Sequence, residues 1–145
     1  MPLRSRYTKS EKLGAGAYGT VYKAQCNASG NLVALKRVRL DHSNDGVPAT
    51  TIREIACLRG LGRHPNVLSL LDVESAQSAG RACLHIITDL LDMDLATWLH
   101  KETDAPSGQL LRHLAHQMLA GLDFCHTHQV SLSNNQSLRE ARSRS

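Results

Sequence analysis

At 145 residues the chain is long enough for one domain with a real core, and its 41% apolar content is ordinary for a globular protein. A net charge of +4 (17 basic against 13 acidic residues) is mild. No aromatics are interleaved with the basic positions, which argues against a nucleic-acid footprint.

Taken in order, residues 1–6 precede the first β-prone run as an N-terminal extension. Tyr7–Leu13 and Gly19–Cys26 read as strands flanking the glycine-rich Leu13-Gly-Ala-Gly-Ala-Tyr-Gly. The turn chemistry of Asn27-Ala-Ser-Gly-Asn leads into a third strand, Leu32–Arg39. A polar linker, Asp41–Gly46, precedes a helix predicted over Pro48–Leu61, where proline suits the first turn. Ile52, Ile55, Ala56 and Leu58 predict its apolar stripe, with Arg53 and Glu54 beside it. Gly60, Gly62 and Pro65 end it. Val67–Val73 and Cys83–Thr88 are further β-prone runs, separated by a polar loop over Glu74–Arg81. Five strands and one helix thus predict a compact, mostly antiparallel lobe.

Asp89–Asp94 reads as a connector into a helical region. Leu95, Trp98 and Leu99 predict a short helix, and Asp104-Ala-Pro-Ser-Gly breaks the chain before a longer one over Gln109–His126. There Leu110, Leu111, Leu114, Met118, Leu122 and Cys125 recur at helical spacing, the pattern of a core face. From Ser131 the sequence turns serine-rich and aperiodic and reads as a disordered tail.

Four cysteines at 26, 57, 83 and 125 contain no C-x-x-C pair, which suggests reduced thiols rather than a zinc site or disulfide framework. No acidic or thiol ligand converges on the histidines with metal-site spacing, so they read as structural or surface residues. The N-terminus lacks a signal-peptide apolar run, and no stretch approaches a membrane span. The expectation is a cytoplasmic and nuclear protein with no membrane or nucleic-acid partner.

Glycines at 14, 16 and 19 let backbone approach phosphate oxygens, because a Cβ would obstruct it. Lys36, in Val-Ala-Leu-Lys, can add a compact positive charge there. By itself G-x-G-x-x-G is shared with dinucleotide-binding folds, where the last glycine opens a helix. Here Thr-Val-Tyr-Lys-Ala follows, a strand pattern, so the loop joins strands of a hairpin and fits the protein-kinase glycine loop. Phosphoryl transfer is mostly positioning and charge neutralisation. A helix carboxylate must hold Lys36, and Glu54 is the candidate.

Gly46-Val-Pro-Ala-Thr-Thr-Ile-Arg-Glu-Ile resembles the signature helix of cyclin-dependent serine/threonine kinases. His64-Pro-Asn-Val and Gly121-Leu-Asp-Phe-Cys-His are similar to the same family, and the second of these resembles most of all the branch that pairs with D-type cyclins. The resemblance covers about residues 7–130. It implies an α+β fold: the kinase small lobe, a five-stranded antiparallel sheet plus one helix, over 7–89, then hinge and partial large lobe over 90–130, with 131–145 divergent. It also implies an ATP site in which Leu13, Val21 and Ala34 line the adenine slot. Gly14, Gly16, Gly19, Lys36 and Glu54 serve the phosphates, the backbone of Asp89 and Leu91 bonds the base, and Asp94 lies near the ribose. Tyr18 takes the place of an inhibitory phosphosite, with Ala17 where part of the family has threonine. Thr88 stands where a bulky phenylalanine is common and implies a roomier back pocket. Ile52 is the expected apolar anchor for a cyclin, and Arg53 would meet an activation-loop phosphate.

The resemblance then departs from the family. Where H-R-D belongs, the chain has Ser131-Leu-Ser-Asn, which puts Asn134 about where the catalytic aspartate stands. An amide cannot take the substrate proton, and loss of a positioned base costs about 10²–10⁴-fold in rate. No magnesium-binding aspartate motif follows, so the family's Mg would lack its ligands here. Asp123-Phe-Cys lies within a helical pattern and is not that motif. The expectation is therefore a truncated kinase: a chain that holds ATP but is catalytically incompetent, with protein substrate engaged only in a full-length form. The alternative is a non-catalytic module that captures a cyclin or nucleotide as a competitor.

Overall fold

A computed structural model describes residues 6–16, 19–40, 46–78, 80–101, 106–128 and 130. Its elements in order are β1 (Tyr7–Gly16), β2 (Gly19–Cys26), β3 (Leu32–Arg39), α1 (Ala49–Leu61), β4 (Leu70–Ser78), β5 (Arg81–Asp89), α2 (Leu95–Lys101) and α3 (Gly108–Thr127). Two compact units emerge. One comprises the chain to Arg59 with Leu70–Leu90, the other Gly60–Ser69 with the chain from Leu91 onward.

In the first unit all five strands form one antiparallel sheet in the order β1-β2-β3-β5-β4. Side chains alternate between its faces. On one face Ala24, Val33, Leu35 and Ile87 make a buried cluster, with Tyr7 and Tyr22 packed against it. Gly19 starts β2 at φ 146, and a Cβ there would lie 2.3 Å from the Arg37 carbonyl oxygen, so close strand packing requires glycine at this position.

The β4–β5 hairpin corrects the sequence reading. The stretch predicted as a loop, Glu74–Arg81, is mostly paired strand: Glu74 faces His85, Ser75 faces Leu84 and Ala76 faces Cys83. Backbone ladders are indifferent to polar side chains that find partners, and Glu74 finds His85. Val67 belongs instead to an isolated bridge with His64.

The phase of α1 differs from expectation too. Its sheltered positions are Thr51, Glu54, Ile55, Leu58 and Leu61, while Ala56 is exposed and Ile52 is 55% exposed. A threonine and a glutamate occupy turns of the sheltered side, and apolar periodicity does not register them. All four cysteines are free; Cys83 and Cys125 are buried and Cys57 is exposed.

In the second unit, Ser107 caps α3 by accepting from the Leu110 amide at 3.2 Å. The segment His64–Val67 docks on this helix. A Cβ at Gly121 would lie 2.8 Å from the Asn66 carbonyl oxygen, so that glycine lets the backbones meet. His64 stacks on Phe124 at 4.6 Å between centroids, and Phe124 meets His128 at 4.2 Å. The predicted core stripe of α3 is a further correction. Only Cys125 of that set is buried, while Leu110, Leu111 and Met118 are 37–49% exposed and Leu119, outside the set, is 64% exposed. No helix among the described residues is long and apolar enough to cross a membrane.

Candidate functional site

Lys36 stands on β3 between the buried Leu35 and the half-buried Arg37, so its side chain leaves the sheet on the face opposite Leu35. The register sets Gly14, Val21, Lys36 and Ile86 in one row across β1, β2, β3 and β5. One step away on the same face, Ala34 pairs with Thr88. Small side chains there leave room beside Val21 and Lys36.

Glu54, on the sheltered side of α1, grips the Lys36 ammonium with both carboxylate oxygens, at 2.8 and 2.7 Å. Both side chains remain partly exposed, at 23% and 39%. An ammonium has three donors, and this bidentate grip occupies two. The third N–H can serve an anion approaching the same face.

The glycines divide by role. Gly19 is required by the sheet itself, whereas a Cβ at Gly14 or Gly16 would meet nothing within 4 Å. Neither of those two has positive φ. Their backbone therefore borders open space beside the Lys36 row, as a cradle for a large anion needs. Leu13 is 47% exposed and falls within a register shift of β1. Asp89 ends β5 opposite Val33.

Leu91 and Asp94 belong to the second unit. Asp94 is exposed and caps α2: its carboxylate accepts from the Thr97 amide and from the Thr97 hydroxyl, each at 2.8 Å. Those bonds hold its pKa below the ordinary carboxylate value. Ile52 and Arg53 both lie on the exposed side of α1. Tyr18, Ala17, Asn134 and the whole 131–145 segment lie outside the described residues. Among the described residues no group of three His, Cys, Asp or Glu side chains could hold a metal ion.

Sequence reasoning missed a second polar cluster, on the sheet face opposite Lys36. It comprises Arg6, Lys9, Asp72, Glu74 and His85. The sole signal was a histidine inside the apolar run Cys83–Thr88, and its partners depend on cross-strand register that the mistaken loop concealed.

Over residues 7–133 the chain matches the protein kinase domain family. Cell division control protein 2 homolog 3 of Trypanosoma brucei brucei is 42% identical over 125 residues, a match covering 86% of this chain and 39% of that protein. Cell division control protein 2 homolog D of Antirrhinum majus is 39% identical over 130 residues, covering 86% and 41%. The chain thus spans about two-fifths of the length of these relatives.

Proposed function

This chain belongs to the protein kinase domain family, and on that premise we propose that it is the ATP-binding part of a cyclin-dependent serine/threonine kinase of the branch pairing with D-type cyclins. The observation that carries the nucleotide reading is the bidentate Lys36–Glu54 pair in a row with the open backbone of Gly14. Lys36 and the amides around Gly14 and Gly16 hold phosphate oxygens, and Glu54 keeps the ammonium aimed. Leu13, Val21 and Ala34 cover the base, and Thr88 leaves space behind it. Asp89 supplies backbone hydrogen bonds to the base. Tyr18 is proposed as the regulatory phosphosite.

In this reading residues 7–89 are the small lobe, 90–130 the hinge and partial large lobe, and 131–145 a divergent segment. Phosphoryl transfer is not expected of this sequence, because Asn134 stands about where a base is needed and an amide has no proton-accepting oxygen of sufficient basicity.

The test is the thermal shift of the purified 145-residue chain with ATP, with and without magnesium. Ligand at about 100 times its Kd adds about 2.7 kcal/mol of apparent stability. Lys36→Met abolishes the shift and leaves the unliganded melt in place. No shift in the parent sinks the nucleotide reading, and robust ATP-dependent phosphorylation by that material sinks the proposed incompetence.

A second reading is favoured by the exposure of Ile52 and Arg53 on α1. There the chain is a non-catalytic competitor that captures a cyclin through this helix. A pull-down with a D-type cyclin decides, with Ile52→Asp as the control that loses binding. Absence of micromolar binding ends the idea.

A further inference from the structure

The strand order leaves β1 and β4 as the two sheet edges, yet side chains tie them together across the face that carries Leu35. Tyr7 Oη on β1 donates to Asp72 Oδ2 on β4 at 3.0 Å. Arg6, just ahead of β1, reaches Asp72 at 2.6 Å and Glu74 at 3.7 Å. Further along β1, Lys9 Nζ lies 2.9 Å from Nε2 of His85 on β5. His85 is 2% exposed, and its Nδ1 lies 3.1 Å from Glu74 Oε1.

Donor chemistry fixes the state of this chain of contacts. An ammonium only donates, so His85 Nε2 must present a lone pair, and the ring proton sits on Nδ1, donating to Glu74. The Cys83 sulfur is 3.7 Å from the same Nε2, and burial pushes its thiol pKa up, which keeps it protonated as a weak donor. Lys9 and Arg37 both lie over the Tyr22 ring, each 5.4 Å from its centroid. The groups around the imidazole are therefore Lys9 from β1, Tyr22 from β2, Arg37 from β3, Glu74 from β4 and Cys83 from β5, with Arg6 and Asp72 behind Glu74.

We propose that Lys9, His85 and Glu74 form a proton-sensitive clasp that ties the β1 edge to the β4–β5 hairpin and opens on acidification. A proton from solvent bound at Nε2 turns the acceptor into a donor and brings two positive charges face to face. The Lys9 hydrogen bond is lost, and Lys9 withdraws. Glu74 offsets the new charge only from the Nδ1 side. The β1–β2 pairing already shifts register between Lys9 and Lys12 and again before Gly14, so β1 is the strand held least regularly by its neighbour.

Burial, and to a lesser degree the charges of Lys9 and Arg37, lower the His85 pKa from its ordinary 6.5, while Glu74 acts in the opposite sense. In the window between the lowered value and 6.5 the unfolded chain binds more protons than the folded one. The clasp's stabilisation is thus complete above 6.5 and is lost as pH falls through that window. Because β1 also carries Gly14 and Gly16, acidification is expected to weaken nucleotide capture. That consequence rests on the nucleotide reading, whereas the clasp does not.

Long-range proton–nitrogen spectra of the histidine-labelled 145-residue chain, taken from about pH 8 to about pH 5 where histidines charge, test the clasp without nucleotide. His85, identified by the signal lost in His85→Gln, should show a protonated Nδ1 and bare Nε2, with a midpoint below those of the exposed histidines. Lys9→Met should raise its proton affinity several-fold, and this shift identifies the signal if His85→Gln does not fold. Amide exchange along β1, corrected for intrinsic rates, should accelerate about tenfold relative to β2 and β3 on acidification. A protonated Nε2 in the neutral ring, a midpoint at or above the exposed set, or a midpoint unmoved by Lys9→Met overturns the proposal. Unchanged exchange along β1, or no folded His85 signal at about pH 8, does the same.

Discussion

Leu35 and Leu119 carry the same side chain into opposite surroundings. Leu35, on β3, is fully buried with Ala24, Val33 and Ile87, whereas Leu119, on α3, is 64% exposed beside exposed Leu111 and Met118. The difference follows from architecture. A curled antiparallel sheet can cover much of one face with its own edges, and here Tyr7, Arg6 and Lys9 reach across to β4 and β5. An amphipathic helix needs a second element, and in the second unit His64–Val67 is seated over Gly121 and Phe124 of α3. The first unit encloses a buried apolar cluster on one sheet face, whereas α3 has one covered seam and several large apolar side chains exposed.

That contrast breaks first at Leu35. Leu35→Ala should cost about 2–5 kcal/mol, as truncation of a fully buried leucine does. Denaturant melts followed by amide exchange should place the loss in the sheet. If protection in α3 collapsed equally, the two units would share one cooperative core and the contrast would fail.

Gly19 and Gly14 sharpen the comparison within the sheet. Gly19→Ala meets both a positive φ and the Arg37 carbonyl, and backbone strain of that kind costs about 1–3 kcal/mol before the clash is counted. Gly14→Ala meets nothing and should leave the melt within about 0.5 kcal/mol. Should nucleotide shift the parent, Gly14→Ala is expected to diminish that shift. Equal stability losses at the two glycines would remove the division between the position the sheet requires and the one that borders open space.

Gly121→Ala probes the seam of the second unit. Its Cβ would sit 2.8 Å from the Asn66 carbonyl oxygen, and overpacking of this kind costs about 1–3 kcal/mol. Chemical shifts of His64 and Phe124 should move while those of Leu35 and Ile87 stay. A silent variant would mean that His64–Val67 does not hold α3 as described.

These particulars also explain what the sequence could and could not disclose. Lys36 and Glu54 were legible because their partnership rests on chemistry and strand-then-helix order, and the structure brings them within 2.8 Å. The first three strands were legible because turn residues bracket alternating runs. Glu74–Ser78 was not, because polar side chains imitate a loop whenever their partners, here His85 and Arg6, sit on other strands. Thr51 and Glu54 hid the sheltered side of α1 for a related reason: burial there is met by polar residues. The stripe on α3 was legible as apolar but not as uncovered, since periodicity reports which face wants burial and says nothing about what arrives to bury it.

Leu119→Gln carries the smallest expected effect and isolates this last point. If the α3 face is open in the monomer, replacing a leucine that is 64% exposed changes stability by no more than about 0.5 kcal/mol. If a second copy covers the face, the parent melt should be concentration-dependent and the same change should shift the sedimentation profile toward monomer. The two measurements must agree. A melt unchanged at every concentration supports the open face. A loss of about 1.5–3 kcal/mol, the full burial of a leucine, would show that α3 is covered in solution and that the difference between Leu35 and Leu119 is one of partner rather than of exposure.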